Sequence, residues 1–147
     1  MVNKDCGYDL RKAYYQALSG ITYNSVLVGV YDEIAPEGAV YPLIILGTQN
    51  SAPSRSKDTF QRDALIEVNV VTRFKSSEGG KKAANDISNI IIGRIITSNS
   101  TFGITQYLND WQVINCECQT NTLTSQLPTG YQIEQINIFT QLLNQLN

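Results

Sequence analysis

Three cysteines, Cys6, Cys116 and Cys118, are the thiols of this sequence, and histidine is absent. Without histidine the commonest general base is missing, and with it the usual serine and cysteine triads and most zinc and iron sites. Cys116 and Cys118 stand two apart, so on a strand they share a face, and Cys6 would bring the set to three thiolates without a fourth ligand. Lacking Cys-x-x-Cys spacing as well, they read as small buried hydrophobes. Asp32 and Glu33 are adjacent carboxylates, but neighbours at a strand end point to opposite sides, so they read as the flank of a solvated turn and not as an acid/base pair. Gly79-Gly80-Lys81-Lys82 falls between a strand and a helix, where backbone amides can cradle a phosphate. A P-loop needs glycine five residues before its Gly-Lys pair and Ser or Thr after it; this chain has Lys75 and Lys82 there, which leaves a connector. Tyr14-Tyr15 and Trp111 have π-faces able to stack on bases, yet no basic stripe surrounds them, so core or interface packing is expected. No catalytic, metal or cofactor-binding residue emerges, and the expectation is a protein that is not an enzyme.

The elements that hold these residues follow from periodicity. Leu10, Tyr14, Ala17 and Leu18 recur at helical spacing after Asp9, and Ser19-Gly20 stops them, predicting a helix over 8–18. Residues 26–31 and 41–47 are β-branched or apolar runs separated by Pro36-Glu37-Gly38, hence two strands. Residues 49–59 are rich in Asn, Ser, Pro and charge, predicting a solvated loop, with 50–60 as a flexible arm. A long third strand with one wetter face is expected over 61–74, from Leu65, Ile66, Val68, Val70 and Val71 interleaved with Glu67 and Asn69. Ala84, Ile87, Ile91 and Ile95 place a second helix over 81–96. Alternation then predicts strands over 111–122 and 131–143, joined across Leu127-Pro128-Thr129-Gly130. The order αβββαββ predicts an α+β fold: a mostly antiparallel sheet of about five strands with two helices packed on one face.

At 147 residues with 42% apolar content, the chain fits one domain, residues 1–147, with a sizeable core. Its apolar runs are far shorter than the roughly 18 residues of a membrane span, so no membrane partner is expected. The net charge of −2 gives no general attraction to nucleic acid. The first residues, Met1-Val2-Asn3-Lys4-Asp5, form no apolar signal region, and with sparse cysteines a reducing cytosolic origin is the expectation.

The run from Val30 to Gly47, with Tyr31-Asp32-Glu33-Ile34-Ala35-Pro36-Glu37-Gly38 and then Tyr41-Pro42, resembles the signature of the tail-terminator or tail-completion proteins of tailed bacteriophages. In that family a valine-rich strand ends in an acidic, proline-containing turn, and a Tyr-Pro pair begins the next strand. Leu10-Arg11-Lys12-Ala13, the strand ending Val71-Thr72-Arg73-Phe74, and the helix from Gly80 to Ile96 are similar to the family's elements in the same order, so the resemblance covers residues 8–96. It implies a structural virion protein, assembled in the host cytoplasm, that forms a ring at the head-tail junction. Six-fold symmetry is favoured, with twelve-fold the alternative. The ring would contact the tail tube or a neighbouring tail ring on one side and the head connector on the other, and DNA would pass through the lumen without specific binding. The related fold also serves as a ring or adaptor protein of short-tailed phages, and a generic protein-interaction domain is the other alternative.

Three sets of residues are candidates for contact with partners. Arg55, Lys57 and Arg62 form a basic cluster, diluted by Asp58 and Asp63, that can pair with acids across an interface. Ile92 and Ile96, with Ile90, widen the second helix's apolar face beyond what one sheet covers. Residues 95–147 contain no Lys or Arg and fifteen Asn and Gln, so Gln132, Gln135, Asn137 and Gln141 are candidates for an interface strand that hydrogen-bonds without desolvating ions. On this reading Tyr131, Ile133 and Gln135 lie on one side of the last strand. A register change near Gln135 then turns Ile136, Ile138 and Thr140 into the core, and lysine at Gln135 and Gln141 leaves the monomer folded.

Overall fold

The computed structural model describes residues 4–54, 60–73, 81–126 and 132–146. Helix α1 (Gly7–Leu18) buries Leu10, Ala13, Tyr14, Ala17 and Leu18, the stripe that the sequence spacing requires, and Gly20 at φ +87° turns the chain out of it. A ribbon of β1 (Thr22–Tyr23) and β2 (Val26–Leu27) follows, its turn made by Asn24 and Ser25 at positive φ. It is a separate two-stranded sheet, where the sequence predicted one continuous strand over 26–31. The main sheet contains β3 (Gly29–Asp32), β4 (Leu43–Ser54), β5 (Gln61–Arg73), β6 (Trp111–Gln126) and β7 (Gln132–Gln145) in the order β3-β4-β5-β7-β6. Its pairs are antiparallel except β3 with β4, which run parallel. Helix α2 (Lys81–Ile95) buries Ala84, Ile87, Ser88, Ile91 and Ile95 against β5 and β7, while α1 lies over β3 and β4. The fold is α+β, with both helices on one face of a mostly antiparallel five-stranded sheet.

Two further expectations change. Residues 50–54 are not loop: β4 continues past a bulge after Leu46, and Asn50 to Ser54 pair with Leu65 to Gln61. Their polar composition reflects a stretch of sheet that backbone pairing, more than side-chain burial, holds in place. The remainder of the expected arm, with Arg55 and Lys57, lies outside the described residues. In β7 the register runs without interruption, and burial alternates from end to end, with Ile133, Gln135, Asn137, Phe139, Gln141, Leu143 and Gln145 turned towards the helices. Ile136 and Ile138 sit half-buried on the opposite face, the reverse of the sequence reading. In β6, bulges between Val113 and Asn115 and between Cys118 and Thr120 keep Trp111, Val113, Cys116 and Cys118 on the core side and leave Ile114 exposed.

Arg11 anchors α1 to the sheet at the β4 bulge. Its guanidinium pairs with Asp32 at the end of β3, donates to the carbonyls of Leu46 at 2.9 Å and Gly47 at 2.7 Å, and bonds Gln49 Oε1 at 3.1 Å through Nε. After α2 the chain doubles back through the Ile96–Phe102 bridge, a 3₁₀ turn at Thr105–Tyr107 follows, and Phe102, Ile104 and Leu108 enter the core. Gly103 makes this return feasible: its N–H donates to Ile95 O at 2.8 Å, and a Cβ there would overlap the carbonyl oxygen of Arg94.

Candidate assembly surfaces

The residues first expected at an interface include the polar centre of the subunit's own core. Gln135, Asn137 and Gln141 are 6%, 0% and 3% exposed. Gln141 Oε1 accepts the Tyr14 hydroxyl at 2.5 Å, and its Nε2 donates to Ala64 O at 2.8 Å. Asn137 Nδ2 donates to Ser88 Oγ on α2 at 3.0 Å, and its Oδ1 accepts from Asn121 Nδ2 at 2.6 Å and Gln135 Nε2 at 3.2 Å. Each amide bonds within the protomer, which is how uncharged polar side chains occupy a buried helix–sheet seam. These three side chains are therefore part of the protomer's own core and not exposed partner contacts, contrary to the expectation from the sequence. Cys116 joins the same cluster, its Sγ 3.8 Å from both Tyr14 Oη and Gln141 Oε1, and burial pushes its thiol up to about 11. Burial likewise raises Cys6, and all three cysteines are free. Among the described residues no three His, Cys, Asp or Glu side chains converge as metal ligands.

Ile92 and Ile96 are partly buried against the core, while Ile90 on the same helix is more exposed. Arg62 lies on β5, where its guanidinium donates to Ser51 Oγ at 2.8 Å and sits 5.9 Å from the centre of the Phe60 ring. Gln132 begins β7, half-buried, and its Oε1 accepts from Arg73 Nε at 3.4 Å.

Sequence reasoning passed over the sheet's other face. Leu43, Ile45, Leu65, Val71, Ile136, Ile138 and Leu142 share it, and none belongs to the core cluster beneath the helices. An antiparallel sheet with one solvated face normally shows polar residues there. Here aliphatic side chains alternate with acids: Glu67 opposite Ile138, Glu134 opposite Val71, Asp63 opposite Leu142, and Glu117 opposite Thr140. Arg73 is the one base among this face's described residues. At one end, Asp63 and Glu117 flank a depression of about 470 Å³ whose lining includes Ala52, Leu65, Thr140 and Leu142. The helix layer on the opposite side of the molecule has the other sign, with Arg11, Lys12, Lys81, Lys82 and Arg94 on α1 and α2 against Asp9 and Asp86. Tyr8, Lys12 and Tyr15 are exposed at spacings of four and three along α1, a single outward stripe. The connection between β3 and β4 adds exposed Ile34 and Val40.

Neither family models nor characterised proteins give a match to the sequence. Among solved structures, a chain from the virion of a native gene transfer agent particle has the same fold, with a TM-score of 0.69 and 13% identity over 92% of this chain and 94% of that one. The likeness covers nearly the whole of both chains, and it is one of fold.

Proposed function

We propose that this chain is a structural virion protein of a phage-like particle. It forms a closed homo-oligomeric ring at the head-tail junction that terminates or completes the tail, joins it to the head connector, and lets DNA pass through its lumen. It performs no catalysis. The observation that carries this reading is the fold shared over nearly the full length of both chains with a component of a gene transfer agent virion. The sequence resemblance of residues 8–96 to tail-terminator proteins supports the position at the junction. The half-exposed aliphatic side chains Ile45, Leu65, Ile136, Ile138 and Leu142 on the face where no helix of the described residues packs support assembly, because contiguous apolar surface of this kind marks interaction sites. The mildly acidic chain suits a lumen from which DNA phosphates are weakly repelled.

Native mass spectrometry of the purified protein, alone and with tail tube or connector added, tests the proposal. A single discrete mass of six or twelve copies is expected, since a head-to-tail interface closes only at a fixed rotation. A monomer at high concentration under all these conditions overturns it.

A further inference from the structure

We propose that the acidic, aliphatic outer face of the sheet is the docking surface for the helix layer of a second copy of this chain, with Lys12 entering the depression between Asp63 and Glu117. The inference rests on the ring reading and names its interface. Three observations select this occupant. The face carries Asp63, Glu67, Glu117 and Glu134 against Arg73, whereas on the helix side Arg11 is paired with Asp32 and Lys82 with Asp86, leaving exposed Lys12 and Lys81 to give that side the opposite sign. The depression combines aliphatic lining from Leu65 and Leu142 with a carboxylate on either side, which suits a lysine side chain: an apolar stem ending in an ammonium. Lys12 is presented for this purpose, exposed on α1 with Tyr8 one turn before it and Tyr15 one turn after, and aromatic side chains next to a buried cation are typical interface anchors.

The two surfaces lie on opposite sides of the protomer: among the described residues the helices cover one face of the sheet, and on the other Asp63 and Glu117 are exposed with Leu65 and Leu142 half-exposed between them. Their contact is therefore head-to-tail: each copy offers its sheet to one neighbour and its helices to the next, which is the type of interface that builds a ring.

Charge exchange tests the pairing. The sheet variant Asp63→Lys/Glu117→Lys and the helix variant Lys12→Glu should each stay folded by circular dichroism, because all three side chains are exposed, and each should lose the oligomer, with at least ~10-fold weaker association. Mixed in equal amounts they should assemble again, because each variant's altered face meets the other's altered face and the unaltered faces meet each other. If the parent assembles but either variant alone assembles equally well, or the mixture fails to restore the oligomer, the ring reading stands and this interface is wrong. If the parent itself is monomeric, both fall. Should a variant unfold, carbodiimide coupling of the assembled parent protein decides the matter. Peptides joining Lys12 to Asp63 or Glu117 are expected, and they can form only between copies; an assembled oligomer that yields none overturns the proposal.

Discussion

Tyr14, Cys116 and Gln141 meet from three separate elements, and their contact explains why the charge-poor C-terminal half is rich in amides. A side chain such as Gln141 in a helix–sheet seam must satisfy both of its polar ends, and here it does so through Tyr14 Oη and Ala64 O. Replacing Gln141 with Leu would leave the buried Tyr14 hydroxyl with only the long Cys116 Sγ contact and take the side-chain donor from Ala64 O, so a loss of about 2–3 kcal/mol in urea unfolding is expected. Gln141→Lys should cost more, about 3 kcal/mol or above, because it buries an ammonium with no carboxylate beside it. That reverses the outcome expected from the sequence, where lysine at this position was to be harmless. Unchanged stability of both variants would mean that the seam is wet. Alternation along β7 was legible from residue types, but its direction was not: Ile136 and Ile138 outrank Gln135 and Asn137 on any hydrophobicity scale. Only the pairing of β7 with β5, and the placement of Ser88 and Asn121 beside Asn137, shows that the amides are the buried set.

The helices and long strands were legible because each carries its own period. The stripe on α1 and the Ala84, Ile87, Ile91, Ile95 series on α2 predicted both helices to within a residue or so at each end. Local patterning failed where an element is held by distant pairing. Asn50 to Ser54 read as loop, yet they form a strand because Gln61 to Leu65 lie opposite. Residues 97–109 gave no periodic signal; the segment is a tight return that inserts Phe102, Ile104 and Leu108 as individual anchors. Gly103 is the pivot of that return. Because a Cβ at this position would overlap the Arg94 carbonyl oxygen, Gly103→Ala forces the chain to move away from the end of α2 and pulls the three anchors with it. A loss of about 3 kcal/mol or more is expected, comparable with overpacking at a rigid core site. Thermal unfolding of this variant close to that of the parent would show that the return is looser than its geometry implies.

At the scale of the whole molecule, what matters is the separation of charge across the sheet. The sequence gives net charges and counts, but Asp63 and Glu117 are far apart in the chain. They come together only because β5 pairs with β7 and β7 with β6, placing Leu142 and Thr140 between them. No local pattern could reveal that pairing, which is why the sequence directed attention to Arg55, Lys57 and the amides instead. The proposed interface combines two forces with different salt dependence. Attraction between Lys12 and the carboxylates acts over a Debye length of about 10 Å at 0.1 M salt and only about 3 Å at 1 M. Contact of Tyr8 and Tyr15 with Leu65 and Leu142 is apolar and is not screened. Encounter is governed by the first force and persistence by both, so raising NaCl from about 0.1 M to about 1 M should slow association roughly tenfold or more while dissociation changes far less. Stopped-flow light scattering after dilution from denaturant-free monomer, paired with subunit exchange from labelled oligomer, measures the two rates separately. An association rate that ignores salt would mean that the opposite charges of the two faces do not bring the copies together. Assembly would then rest on apolar contact alone, and the Lys12→Glu variant should assemble as readily as the parent.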